Sequence, residues 1–319
     1  YDSTTQKVTN TITGEHWAGN DWQDVAFKDW TPQTQHNLSA RGRGDRIGYF
    51  VSLGFTDTES GFDRADYTHK RWNVRSNLDA QFTDNLKARF DMSYFQTTLD
   101  RANFGITEMY NRLASSKPYI LAIYPDESYA SHGGQATPYS PLYMMRKDYA
   151  GYKVDRDNNL RAAISLTYDV PFIDGLDATV SLNMETQTEW NKTVVRKFPM
   201  YTYDPSLGSG DASYQLFGTF QRDAINVNSD RDMELLPKLQ LNYEKNWGED
   251  NLKATFVAES TTFQRDYLMG SRYDFLSYEA PYLNYSSAAE RDNAEIFSEN
   301  ARSSYVGRVN YSHKDKYLF

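Results

Sequence analysis

Asp155, Asp157 and Asn159 stand at alternate positions, and three oxygen-bearing side chains so spaced open a calcium-binding loop. The glycine and closing glutamate of such a loop are missing here, so a solvated loop is the expectation. Nucleophilic catalysis needs a serine or cysteine beside a supporting histidine. The chain has no cysteine and no Gly-x-Ser-x-Gly, and His16, His36, His69, His132 and His313 lack metal-ligand spacing. These histidines are expected at the surface or in loops, and no catalytic residue, metal or cofactor is expected. Two other sets have side chains suited to binding. Arg71, Arg75, Asp79, Lys87, Arg89, Arg161 and Lys238 are polar groups that fall at alternate positions of extended segments. Tyr119, Tyr124, Tyr139, Tyr143, Trp190, Tyr201, Tyr203 and Tyr282 lie between those segments. Their rings could stack on sugars or peptide side chains, or pack within their own loops.

Alternation is what positions the polar set. Between 71 and 82 every odd position is polar or charged, while Trp72, Val74, Leu78, Ala80 and Phe82 make the even positions apolar except at Ser76. A β-strand sends successive side chains to opposite faces, so this segment has one apolar face and one polar face. It is longer than a typical globular strand and matches the roughly 9–11 tilted residues that cross a bilayer. The even row is expected to face lipid, and Arg71, Arg75 and Asp79 an aqueous lumen. About ten such segments recur, around residues 36–42, 47–55, 86–94, 160–170, 176–184, 239–243, 252–258 and 305–311 as well as 71–82. Short polar turns join some of them, at 42–45, 83–85, 171–175, 246–248 and 313–315. Long connections, 96–159, 185–230 and 260–301, join the others. Within the first long connection Ile106, Met109, Tyr110 and Leu113 fall at helical spacing and end before Pro118, which predicts a short helix.

Composition narrows the class. The 319 residues have a formal charge of −9, 25 tyrosines and 15% aromatics, with a mean hydropathy of −0.74. The acidic balance argues against nucleic acid as a partner. No run approaches the roughly 18 apolar residues of a membrane helix, but a barrel strand shows lipid only every second residue. A soluble carbohydrate-binding β-sandwich also alternates in this way. Short turns on one edge, long loops on the other and long strands favour a different fold class. It is all-β, part of a large antiparallel transmembrane β-barrel with long extracellular loops.

Particular residues carry a family resemblance. Asn20, Asp21 and Trp22, then His36-Asn37-Leu38-Ser39, then the strand from Tyr49 through Ser52, Leu53 and Gly54 to Phe55 resemble the SusC/RagA-like TonB-dependent outer-membrane transporters. Thr83-Asp84-Asn85-Leu86-Lys87, Lys117-Pro118 and the strand from Ser304 to Tyr311 fit as well. Phe55 replaces the usual tyrosine, and Gly42-Arg43-Gly44 replaces a Gly-Gly pair. The resemblance implies an N-terminal plug inside a barrel of about 22 strands. On that basis residues 1–35 are expected to end an extracellular loop and 36–319 to form a partial barrel ending by truncation at Phe319. The plug and remaining strands would lie outside this chain. The resemblance further implies TonB-dependent import of a glycan or oligopeptide and a SusD-like surface lipoprotein over the extracellular mouth. Outer-membrane lipids would surround the barrel, and the TonB complex would act through the plug. A barrel that anchors an enzyme or adhesin is the remaining alternative.

Overall fold

The structure, a computed structural model, describes residues 7–9, 16–18, 21–134, 140–314 and 317–318. β1 (Lys7–Thr9) and β2 (His16–Ala18) form a separate antiparallel pair. Helix α1 (Trp22–Ala26) follows, with the Asp21 carboxylate accepting from the Gln23 and Asp24 amides as its N-cap. The main sheet comprises β3 (Gln33–Arg43), β4 (Ile47–Glu59), β5 (Tyr67–Gln81), β6 (Leu86–Ala102), β7 (Gly151–Asp169) and β8 (Leu176–Val195). After a separate hairpin of β9 (Phe198–Tyr203) and β10 (Tyr214–Phe220), it continues with β11 (Ala224–Trp247), β12 (Asp250–Tyr273), β13 (Arg291–His313) and the stub β14 (Tyr317–Leu318). Each strand pairs antiparallel with the next, so the ten-stranded sheet runs in chain order once the β9–β10 hairpin is set aside.

Pairing puts like faces together. Tyr49, Leu78, Phe90, Ile164 and Leu182 oppose one another in one continuous row across β4 to β8. The neighbouring row, one residue along, reads Asn77, Asp91, Ala163 and Asn183. One face is therefore apolar and the other polar, in the register that the alternation predicts. No second sheet covers the apolar face among the described residues, and Leu78, Ile164, Val180 and Leu182 are 40–59% exposed on it. A β-sandwich would bury that face; a membrane barrel turns it to lipid.

The apolar band also crosses the hydrogen-bond rows at an angle. The row that begins at Phe55 and Trp72 continues through Gln96, Asn158, Thr188 and Arg231 to Asp266. A row that starts in lipid and ends in water means strands tilted to the membrane, as barrel closure requires. Aromatic residues mark the band edges, with Trp72 packed on Phe55 at 4.3 Å on one side and Tyr168 and Tyr243 towards the short turns.

The strands are longer than the alternation suggests. β11 and β12 have 24 residues each and β13 has 23. At roughly 3.3 Å per residue, 24 residues run about 80 Å, far more than a tilted path through an apolar band about 25 Å tall. The connections expected at 96–159, 185–230 and 260–301 therefore shrink to 103–150, 196–223 and 274–290. Above the membrane both faces meet water, so alternation disappears while backbone pairing continues. For the same reason Asp155, Asp157 and Asn159 lie on β7 rather than on a loop.

Among the described residues the short turns hold their predicted places; the turn at 313–315 lies partly outside them. At the β7–β8 turn Gly175 has φ of +86°, and a Cβ there would fall 1.9 Å from the Glu244 carbonyl oxygen. Only glycine fits, because the same glycine accepts from the Glu244 amide at 2.8 Å and ties the turn to β11.

The two faces differ in what they tolerate. Leu78→Lys, in mid-band on the apolar face, is expected to destabilise the intact parent by roughly 2–4 kcal/mol. Ala163→Lys, on the polar face beside Asp91, is expected to cost far less. Denaturant unfolding in lipid bilayers reads the difference, and equal losses would contradict the assigned faces.

Candidate functional site

The polar face of the sheet is concave. A depression of about 540 Å³ lies on it, lined among others by Arg75, Asn77, Arg89, Asp91, Arg161 and Glu185. A second, of about 430 Å³, lies nearer the short turns beside Asp79 and Lys87. Because all these side chains sit on strands, their mutual geometry is set by register. Asp79 opposes Arg89 and Asn77 opposes Asp91. The Arg89 Nε lies 2.8 Å from Asp91 and 3.8 Å from Asp79, while Asn77 also donates to Asp91. The Arg161 guanidinium is 2.8 Å from Glu185, which accepts from Asn159 at 2.9 Å as well. Lys87 pairs with Asp169 at 3.0 Å. Arg71 lies 5.3 Å from the centre of the Phe95 ring. Lys238 shares the face, opposite Ser181 and Glu259.

Towards the long loops this wall turns acidic. Asp157, Glu189 and Asp230 stand directly opposite one another on β7, β8 and β11. Like charges so placed repel, and Arg265 answers only part of that charge through its pair with Asp230. The lower wall is charged yet locally neutralised, and the upper wall gathers carboxylates around Lys153 and Arg265.

Above the strands the loops fold into a body with its own core. Trp22 and Ala26 of α1, Phe62 of the β4–β5 connection, residues of the 103–150 loop and Phe198 and Met200 of β9 are buried together. The 103–150 loop contains α2 (Ile106–Ser115), α3 (Pro141–Met144) and α4 (Lys147–Ala150). Helix α2 lies where its spacing predicts and buries Met109 and Leu113. Cross-segment hydrogen bonds fix the body: the Trp22 Nε1 donates to the Lys117 carbonyl at 2.9 Å, and the Tyr201 amide to that of Ala130 at 2.8 Å.

The aromatic candidates take different places in this body. Tyr124 is buried, and its hydroxyl donates to the Tyr201 carbonyl at 2.7 Å. Tyr143 is buried too, and loss of water pushes its phenol up to about 12. Tyr201 meets Tyr129 edge-on at 4.8 Å, and Tyr203 leans on Tyr124 and Tyr214. Trp190 lies on β8 rather than in a loop, on the outward face with the Arg156 guanidinium 5.0 Å from its ring centre. Tyr119 and Tyr282 are exposed, with Lys192 poised 4.5 Å over the Tyr282 ring. Tyr139 lies outside the described residues. Sequence reasoning missed Tyr129 and Tyr214, which stack at 4.1 Å with their rings nearly parallel; no local period marks either one.

His132 lies in a loop, as expected, but it is buried rather than solvated. Its ring stacks on Phe217 at 4.4 Å and Nδ1 accepts from the Gly134 amide. Among the described residues no group of acidic, histidine or cysteine side chains could hold a metal.

The chain is 22% identical to the TonB-dependent receptor P3 of Formosa agariphila over 311 residues, 95% of this chain and 29% of the relative. It is also 22% identical to the TonB-dependent receptor SusC of Bacteroides thetaiotaomicron over 327 residues, again 95% of this chain and 29% of the relative. The chain thus spans under a third of the curated relatives that it matches. No protein-family description matches it. The RagAB peptide importer in its open-open state superposes with a TM-score of 0.70 at 16% identity, over 99% of this chain and 33% of that one. A further RagAB peptide transporter structure gives 0.68 over 93% and 32%. The likeness to SusC/RagA-like transporters drawn from motifs is borne out, and the chain is a sector of an outer-membrane β-barrel.

Burial holds the His132 imidazole down to about 4, against about 6.5 when unfolded. Between those values the unfolded loop binds the extra proton and the folded loop does not, so stability is complete above pH 6.5 and falls as pH drops towards 4. Local stability of the loop body is expected to fall by about 2 kcal/mol from pH 7 to pH 5. Hydrogen exchange of the Gly133 and Gly134 amides measures it, and His132→Gln should abolish the pH dependence.

Proposed function

We propose that this chain supplies part of the barrel wall and part of the extracellular mouth of a TonB-dependent, SusC-like transporter. The parent imports a glycan or oligopeptide and is not a catalyst. One observation carries this reading: a tilted, lipid-facing sheet has a concave charged inner wall beneath a loop body with its own core. A wet wall below a structured mouth suits passage of a polar solute, and relatives of the same architecture are named as receptors and importers. In this reading Arg71, Arg75, Asp79, Lys87, Arg89, Arg161 and Lys238 face the lumen, where the plug and the solute path lie. The plug and the remaining strands belong to the rest of the parent, and TonB acts through that plug.

The mouth itself divides by burial. Tyr124 and Tyr143 serve the loop core, while Tyr119, Tyr201, Tyr203 and Tyr282 keep surface for contact with cargo or partner. A SusD-like surface lipoprotein closes over loops 103–150, 196–223 and 274–290. Tyrosine suits such a contact because its ring buries area while its hydroxyl stays hydrogen-bonded.

Affinity purification of the intact parent from its native outer membrane is expected to bring down one surface lipoprotein. Replacing loop 274–290 with a short glycine-serine turn should weaken that association while the barrel still assembles. A parent that is monodisperse without detergent would sink the transporter reading. Hydrolytic activity that depends on residues of this chain would favour the enzyme alternative instead.

A further inference from the structure

The third loop, 274–290, is fastened differently from the other two. Loops 103–150 and 196–223 share the large core built on Trp22, Met109, Met144 and Phe198. The third loop adds only Phe275 and Leu283 to a small cluster with Val194 and Ile225. Polar contacts, chiefly to residues 222 and 223, and the Lys192 ammonium over the Tyr282 ring do the rest. The Arg222 guanidinium donates from Nε and Nη2 to Asp274, the first loop residue, and from Nη1 at 2.6 Å to Glu290, the last. One side chain thus pinches both ends of the loop. The Asp223 carboxylate accepts the Tyr278 hydroxyl at 2.8 Å and the Lys197 amide at 2.7 Å, and its carbonyl accepts the Asp274 amide at 3.0 Å. The Arg196 guanidinium lies 4.2 Å over the Tyr278 ring.

Two further facts make this fastening a releasable one. Gln221 and Asp274, beside and within the clasp, have φ of +59° and +50°. Glutamine resists that conformation and aspartate tolerates it better, so the backbone beside the clasp holds modest strain. The ion pair is also about half exposed on both partners, so salt screens it. The first loop has an exposed pair of its own, Arg64 with Glu127 at 2.7 Å, but the large apolar core lies behind it.

We propose that loop 274–290 is a strap at the mouth, closed by Arg222 across its two ends, which opens as a unit while the first two loops stay fixed. The strap deepens the transport reading by naming the moving part of the mouth, yet its test needs no transport. Hydrogen exchange is followed on the intact parent in lipid nanodiscs. Arg222→Ala is expected to speed exchange of the Leu276, Tyr285 and Ser287 amides roughly tenfold, leaving Met144 and Tyr201 unchanged. Raising salt from about 0.05 M to about 1 M should move the wild type in the same direction. Restoring the charges in reverse, with Arg222→Glu, Asp274→Arg and Glu290→Arg together, should recover much of the protection. Should Arg222→Ala fail to assemble, Glu290→Gln removes one arm and should give a smaller rise at the same amides. The strap is overturned by unchanged exchange, by equal loosening of the first two loops, or by no recovery in the reversed triple. If exchange responds but the parent imports nothing, the transport reading fails and the strap stands.

Discussion

Hydrocarbon offers no partner for an open peptide group, and that single constraint organises the chain. Inside the bilayer every backbone N–H and C=O must pair with a neighbouring strand. β11 shows the result, pairing with β8 along one edge and β12 along the other over nearly its whole length. Once pairing is continuous, side chains have only two directions, and a slip of one residue would exchange lipid for lumen along a strand. Pro237 tests this economy. It lacks a donor and sits within an inner strand, normally a poor place for proline. The ladder to β12 lapses at Leu236 and Pro237, but the partners of both on β8 remain in register, and pairing resumes at Lys238. A continuous ladder absorbs one gap.

The same constraint explains what was legible in the residues. From Leu235 to Tyr243 the two faces of β11 meet different solvents, so the pattern alternates and the strand can be read. From Ala224 to Asp232 neither face meets lipid, Ala224 and Ile225 pack beneath the third loop, the pattern fades, and the strand is invisible although its pairing is just as complete. Helix α2 was legible because its apolar residues fall on one face within a single segment. The loop core was not. Trp22, Phe62, Met109, Met144 and Phe198 come from five stretches of chain, and their convergence follows from where the strands deliver the loops. Legibility thus tracked local periodicity rather than structural order.

Charge is used differently at the two levels of the molecule. On the lower part of the polar wall it is arranged in alternating partners, as with Asp79, Arg89 and Asp91. That arrangement lets a wall stay hydrated without a strong net field. On the upper wall Asp157, Glu189 and Asp230 face one another, with Arg265 and Lys153 offsetting part of their charge. Self-repulsion along that row costs stability that the long ladder can bear, since the strands are held by many backbone bonds and not by these side chains.

The loops extend the contrast between rigid and releasable parts. A body that buries Met144 and Met200 completely is held by apolar contact, which is insensitive to salt and costly to open piecemeal. A loop held at its ends by exposed charge on a strained backbone sits at the low-stability end of the same molecule. Both rest on strands that run past the membrane, and this explains why the ladders extend so far beyond the lipid. The height supplies a stiff collar, and a stiff collar is what allows one loop to move without disturbing its neighbours.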